Sequence, residues 1–198
     1  MFEAFNRAFI QDMKMVDAEI ILSTAIYSDD MLGKLFSLYG GQSFNQGLYR
    51  IIDYNNINYW NDLVKTAFPS FSNRITCFSF DWMGRVFAID SSRIKDSHSG
   101  IVMFEPGTAE ALEIPCNIET FHESELIHYR EEALAENFYH QWLASGGISP
   151  RITQCIGYSI PLFLGGSDTT DNLELSDLDV YWTITSQLIQ KIGGLPIG

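Results

Sequence analysis

The chain has 198 residues, 46% hydrophobic and 19% charged, a balance that supports a sizeable core and excludes a largely disordered chain. Twenty-five acids against 12 Lys and Arg leave a net charge of −13. Phosphate binding rests on clustered Lys and Arg, so this charge argues against a direct nucleic-acid binder; it fits plain solubility or a basic protein partner.

Residues 1–14 carry Glu3 and Asp12, unlike a signal peptide, and the helical spacing of Phe2, Phe5 and Phe9 makes 2–14 read as an amphipathic helix. No apolar run reaches the roughly 18 residues of a membrane span. Cys77, Cys116 and Cys155 are odd in number and sit among apolar or small neighbours, the pattern of reduced, buried thiols in a cytoplasmic protein. A second helix is expected after Ser28 as N-cap, with Asp29 and Asp30 in its first turn. It would turn Leu32, Leu35, Phe36 and Tyr39 inward and stop at Gly40 and Gly41. Residues 47–53 read as a strand. Residues 56–67 return to helical spacing through Ile57, Trp60, Leu63, Val64 and Ala67.

The middle of the chain reads as β. Residues 75–80 and 85–90 form one predicted hairpin around 81–84. Residues 100–105 and 111–114 form another, with Pro106 and Gly107 placed for a type II turn. Successive hairpins predict an α+β fold, an antiparallel sheet packed by helices, and not βαβ units. Residues 124–143 read as one long helix with Ile127, Leu134, Phe138 and Trp142 near one face. Residues 156–164 read as a continuous apolar strand. Ser176 then caps a final helix whose inner stripe is Leu178, Tyr181, Trp182, Thr185, Leu188 and Ile192. With no linker-like stretch, 1–198 is expected to be a single domain: an N-terminal helical segment (1–28), a central portion (29–147) and a strand–helix portion (148–198) packed on it.

Catalytic patterns are missing. His122 and His128 are six apart with Leu126 where a second zinc ligand would stand, so they fail the His-Glu-x-x-His pattern. There is no Gly-x-Ser-x-Gly elbow and no phosphate loop. The expectation is a protein with no catalytic residue, metal or cofactor. Two acidic groups stand out instead. Residues 105–136 hold nine acids against one base, Arg130. Of these, Glu105, Glu110, Glu113, Glu119, Glu123 and Glu125 are candidates for partner contact. Asp168, Asp171 and Glu174 are candidates from a second group that extends to Asp177 and Asp179 across a loop and helix start. This second group reads as a solvated turn with acids at a helix N-terminus, a partner surface, or a metal or catalytic cluster; it lacks the order of a calcium loop.

Residues 31–52, a helix–glycine–strand segment, resemble the opening of the GAD-like domain family. Residues 81–90 (Asp-Trp-Met-Gly-Arg-Val-Phe-Ala-Ile-Asp), 103–114 (Met-Phe-Glu-Pro-Gly-Thr-Ala-Glu-Ala-Leu-Glu-Ile) and 157–166 extend the match. Residues 172–182 (Asn-Leu-Glu-Leu-Ser-Asp-Leu-Asp-Val-Tyr-Trp) are its most specific piece. Together these are similar to immunity proteins against type VI secretion DNase toxins, a group akin to the SMI/KNR, or SUKH, superfamily. The resemblance implies a SUKH-like α+β fold and a non-enzymatic protein that binds and neutralises a cognate toxin; the acidic charge suits docking against the basic substrate channel of a nuclease. The alternatives are a regulatory or scaffold protein of that superfamily binding a non-toxin partner, or a hydrolase or metal enzyme using Asp168, Asp171 and Glu174.

Overall fold

The computed structural model describes residues 2–13, 31–95 and 98–193. Six antiparallel strands run in chain order across one sheet: β1 (Ser43–Phe44), β2 (Tyr49–Ile51), β3 (Ile75–Asp81), β4 (Val86–Lys95), β5 (His98–Glu105) and β6 (Glu110–Ile114). Every neighbour pair is antiparallel, so the expected meander of hairpins and the α+β class are what the chain forms. A separate two-stranded sheet pairs β7 (Gln154–Tyr158) with β8 (Leu173–Asp177).

Helices cover both faces of the large sheet. On one face lie α1 (Glu3–Ala8) and the segment α4 (Ile118–Thr120), a π-turn (Phe121–Glu125) and α5 (Leu126–His128). There Phe87 meets Phe121, and Tyr49 meets His122 and Phe5. On the other face lie α3 (Ile57–Ala67) and α8 (Leu178–Gly193). There Trp60 stacks on Phe80 at 4.5 Å, and Phe68 lies against Phe104 and Trp182. Strand alternation alone would put Phe78 and Phe80 on the same face. A register shift between Cys77 and Ser79 makes Phe78 the extra residue, so it turns to Phe121 while Phe80 meets Trp60.

Several expectations are corrected. The first helix ends at Ala8, not 14, because the next residues follow the sheet edge: Asn45 N–H donates to the Ile10 carbonyl and Asp12 N–H to that of Ser43. The predicted cap at Ser28, with Asp29 and Asp30, lies outside the described residues; α2 (Met31–Tyr39) buries Leu35 and Phe36 as expected. The helix read over 124–143 is broken into α5, α6 (Arg130–Leu134) and α7 (Glu136–Ala144). Tyr129 leaves helical geometry, and Ala135 is left-handed at φ 48°. The break frees two carbonyls from the helical ladder: Ala133 accepts from Arg85, and Leu134 accepts from the Trp82 indole at 2.7 Å.

Strand β7 stops at Tyr158, since Pro161 and a 3₁₀ turn at Leu162–Leu164 follow; Ile160 and Leu164 point to solvent. Ser176 belongs to β8, paired with Cys155, and caps nothing. On α8, Leu178, Tyr181, Trp182 and Thr185 are buried as expected, but Leu188 is only half-buried and Ile192 is exposed. The turn after β5 is not type II by way of Gly107, because its one positive φ is at Ala109. Gly107 is required by proximity: a Cβ there would lie 2.6 Å from the Tyr158 ring.

Candidate partner-binding surface

The β3–β4 turn carries a buried cluster of charge. Arg50, Asp81, Arg85 and Glu105 are all buried, two cations against two carboxylates. Asp81 accepts the backbone N–H groups of Met83 and Arg85 with one oxygen, and Arg85 Nε at 2.6 Å with the other. Arg50 lies over the Phe80 ring at 4.4 Å and donates to the carbonyls of Arg151, Gln154 and Asp81, which ties β2 to the small sheet. Glu105 stands 3.5 Å from Arg85 Nε and accepts the Gly107 N–H at 3.0 Å. Burial, only partly offset by Arg85, lifts the Glu105 carboxyl from 4.5 to about 7. Glu105 was a candidate for partner contact; here the structure corrects the sequence reading, because its carboxylate faces inward and braces the turn.

The other candidates sit in three kinds of place. Glu110 and Glu113 are exposed on the edge strand β6. Three residues apart, they point to opposite faces of the sheet, and Glu113 pairs with Arg93 at 3.1 Å. Glu119, in the first turn of α4, is exposed, and Glu125 is half-buried. Glu123 is engaged internally, accepting the Ala4 N–H at the start of α1. The acids of 105–136 are therefore not one stripe. In the second group, Asp168 accepts the Tyr158 hydroxyl at 2.6 Å, whereas Asp171 and Glu174 are exposed with no side-chain partner among the described residues. Glu174 is on β8, so the region read as an acidic loop is partly strand.

Near Asp177 the small sheet and α8 approach the corner between β2 and α3, leaving an open cleft of about 460 Å³. Its apolar surface includes Ile52, Trp60, Phe80 and Leu178, and its acids are Asp53, Asp177 and Asp179. Tyr59, about half exposed, also lines it. Burial raises the Tyr59 phenol above its ordinary range, and the Asp179 charge adds to that rise. The sequence reading missed this cleft because its walls come from residues more than a hundred positions apart. The one local signal was the pair Asp177 and Asp179, which helix-start chemistry already explained.

Among the described residues no cluster of three or more His, Cys, Asp or Glu side chains is arranged for a metal ion, and no helix is long and apolar enough to cross a membrane. The three cysteines are buried and form no disulfide among the described residues, and burial pushes the Cys155 thiol up to about 12, far from a reactive thiolate. His122 is buried among Phe2, Phe5 and Phe121, with Nε2 3.0 Å from the Tyr49 hydroxyl. Burial lowers it to about 4, so it is a neutral core residue.

The fold is similar to the crystal structure of Atu4351 from Agrobacterium tumefaciens, with a TM-score of 0.53 at 15% identity over 73% of this chain and 69% of that one. At that identity the likeness concerns the fold alone. No curated protein sequence matches the chain significantly. Residues 117–189, which run from the start of α4 into α8, match the family model described as T6SS immunity protein Tdi1, C-terminal. Over that span the chain is similar to a type VI secretion immunity protein.

Proposed function

We propose that this chain is a non-enzymatic, cytoplasmic immunity protein that binds and neutralises a cognate type VI secretion toxin, and that the toxin is a DNase. The single observation that carries the reading is the family match over residues 117–189. The charge supports the choice of toxin class. A nuclease must present cations to phosphate, and a partner with net charge −13 is drawn to the same surface and competes with DNA for it. Glu110, Glu113, Glu119, Asp171 and Glu174 are the solvent-facing carboxylates offered for this contact. Glu125 and Asp168 lie at its margin, half-buried and hydrogen-bonded respectively.

The mechanism is occupancy. Complementary fields speed encounter, and the docked complex denies DNA its channel without chemistry on either partner. The test is co-expression with the toxin encoded beside this chain's gene. Cells carrying both should survive with intact DNA, and the two proteins should copurify. Survival without copurification would sink the binding mechanism. Protection against a toxin that leaves DNA intact would refute the DNase assignment alone.

A further inference from the structure

We propose that the cleft between the β2–α3 corner and the start of α8 receives a basic segment of the partner protein, with an Arg or Lys side chain seated against its aromatic wall. This inference rests on the toxin-binding reading above and names the chemistry of one contact within it.

Three features converge on a cation. Asp53, Asp177 and Asp179 all line the cleft, and no Lys, Arg or His is among its lining residues. Asp177 and Asp179 are exposed, and neither makes an ion pair among the described residues. Asp53 uses Oδ1 to accept Asn55 N–H at 2.8 Å. Its Oδ2 lies beside Gly41, which has no side chain to cover it. The second feature is aromatic. Tyr59 is half exposed at the cleft and offers its ring, while Trp60 and Phe80, which also line it, are buried, Phe80 being stacked on Trp60 and lying under Arg50. A guanidinium or ammonium is attracted to such ring faces, and Arg can stack while its edge meets a carboxylate. The third is size: about 460 Å³ accommodates a side chain with its flanking backbone.

Other occupants fit worse. A phosphate would meet three carboxylates. A wholly apolar ligand would have to desolvate them.

The experiment titrates isotopically labelled full-length chain with the peptide acetyl-Gly-Arg-Gly-amide, using a citrulline peptide of the same shape without the charge as control. Amide and indole resonances are followed by NMR. The expected result is a saturable shift centred on Tyr59, Trp60 and Asp177. It should weaken about tenfold in the D177N/D179N double variant and be nearly lost with citrulline. Y59L, which keeps all three carboxylates, should also weaken it. Equal shifts with citrulline, shifts away from the cleft, or shifts unchanged by D177N/D179N would overturn the inference. If the peptide fails while the wild-type chain still captures its toxin, this inference falls and the proposed function stands. If the peptide binds but no toxin is captured, the cleft stands as a cation site and the proposed function falls.

Discussion

Replacing Glu105 with Gln tests the buried charge cluster. Glu105 is a second carboxylate facing an arginine that Asp81 already neutralises at 2.6 Å. When Glu105 ionises in the folded protein, it gains a contact of 3.5 Å with Arg85 and loses its water. Burial therefore wins, and the carboxyl rises from 4.5 to about 7. A group whose pKa is raised by folding favours the folded state when protonated. That contribution is complete below 4.5 and is lost as pH climbs through about 7. The rise corresponds to about 3 kcal/mol, most of which falls between about pH 5 and about pH 8. His122 acts in the opposite direction: its lowered pKa gives stability that is present above 6.5 and lost as pH falls through about 4. The pH profile of the wild type mixes the two, so the informative quantity is the difference between variants. E105Q keeps an oxygen for the Gly107 N–H and removes the charge. In urea titrations, the stability of E105Q relative to wild type should rise by about 2–3 kcal/mol from about pH 5 to about pH 8. Parallel profiles for the two proteins would refute the reasoning.

Three further outcomes follow from contacts in the core. Gly107→Ala drives a Cβ to 2.6 Å from the Tyr158 ring, which its bond to Asp168 holds in place; denaturant titration should show a loss of about 1–3 kcal/mol, and a loss below about 0.5 kcal/mol would show that the ring yields freely. Trp182→Phe removes the indole that donates to the Gly84 carbonyl at 2.8 Å in a fully buried site, so stability should fall by about 2–4 kcal/mol by the same measure. His122 should remain neutral down to about pH 4 in an NMR titration of its ring protons; a midpoint near 6.5 would contradict its burial.

The hairpins were legible in the sequence because they are local. Alternating apolar residues around 81–84 and 106–109 announce β3 to β6, and each strand pairs with the next. Interruptions set by tertiary contacts were not legible. Periodicity through 124–143 reads as one helix, yet Arg85 and Trp82 take carbonyls near its middle, and the chain breaks at Tyr129 and Ala135. Strand β8 was hidden because Glu174 and Asp177 look like loop residues until β7 is available to pair with them. Gly107 was marked correctly as necessary but for the wrong reason, since a ring 51 positions away sets the constraint. The same limit governs the candidate surface. Acid counts found the charged segments, but they could not separate Glu105 and Glu123, which serve the fold, from Glu110 and Glu119, which face solvent.

The central claim is that this chain neutralises a toxin by binding it through complementary charge. Stopped-flow association of the purified chain with the toxin encoded beside its gene, at low and high salt, tests it most directly. The account predicts a stable complex whose association rate falls about tenfold or more as salt rises, while dissociation changes little. Absence of a complex with that toxin would contradict the claim of binding, and a salt-independent association rate would contradict the role given to the acidic surface.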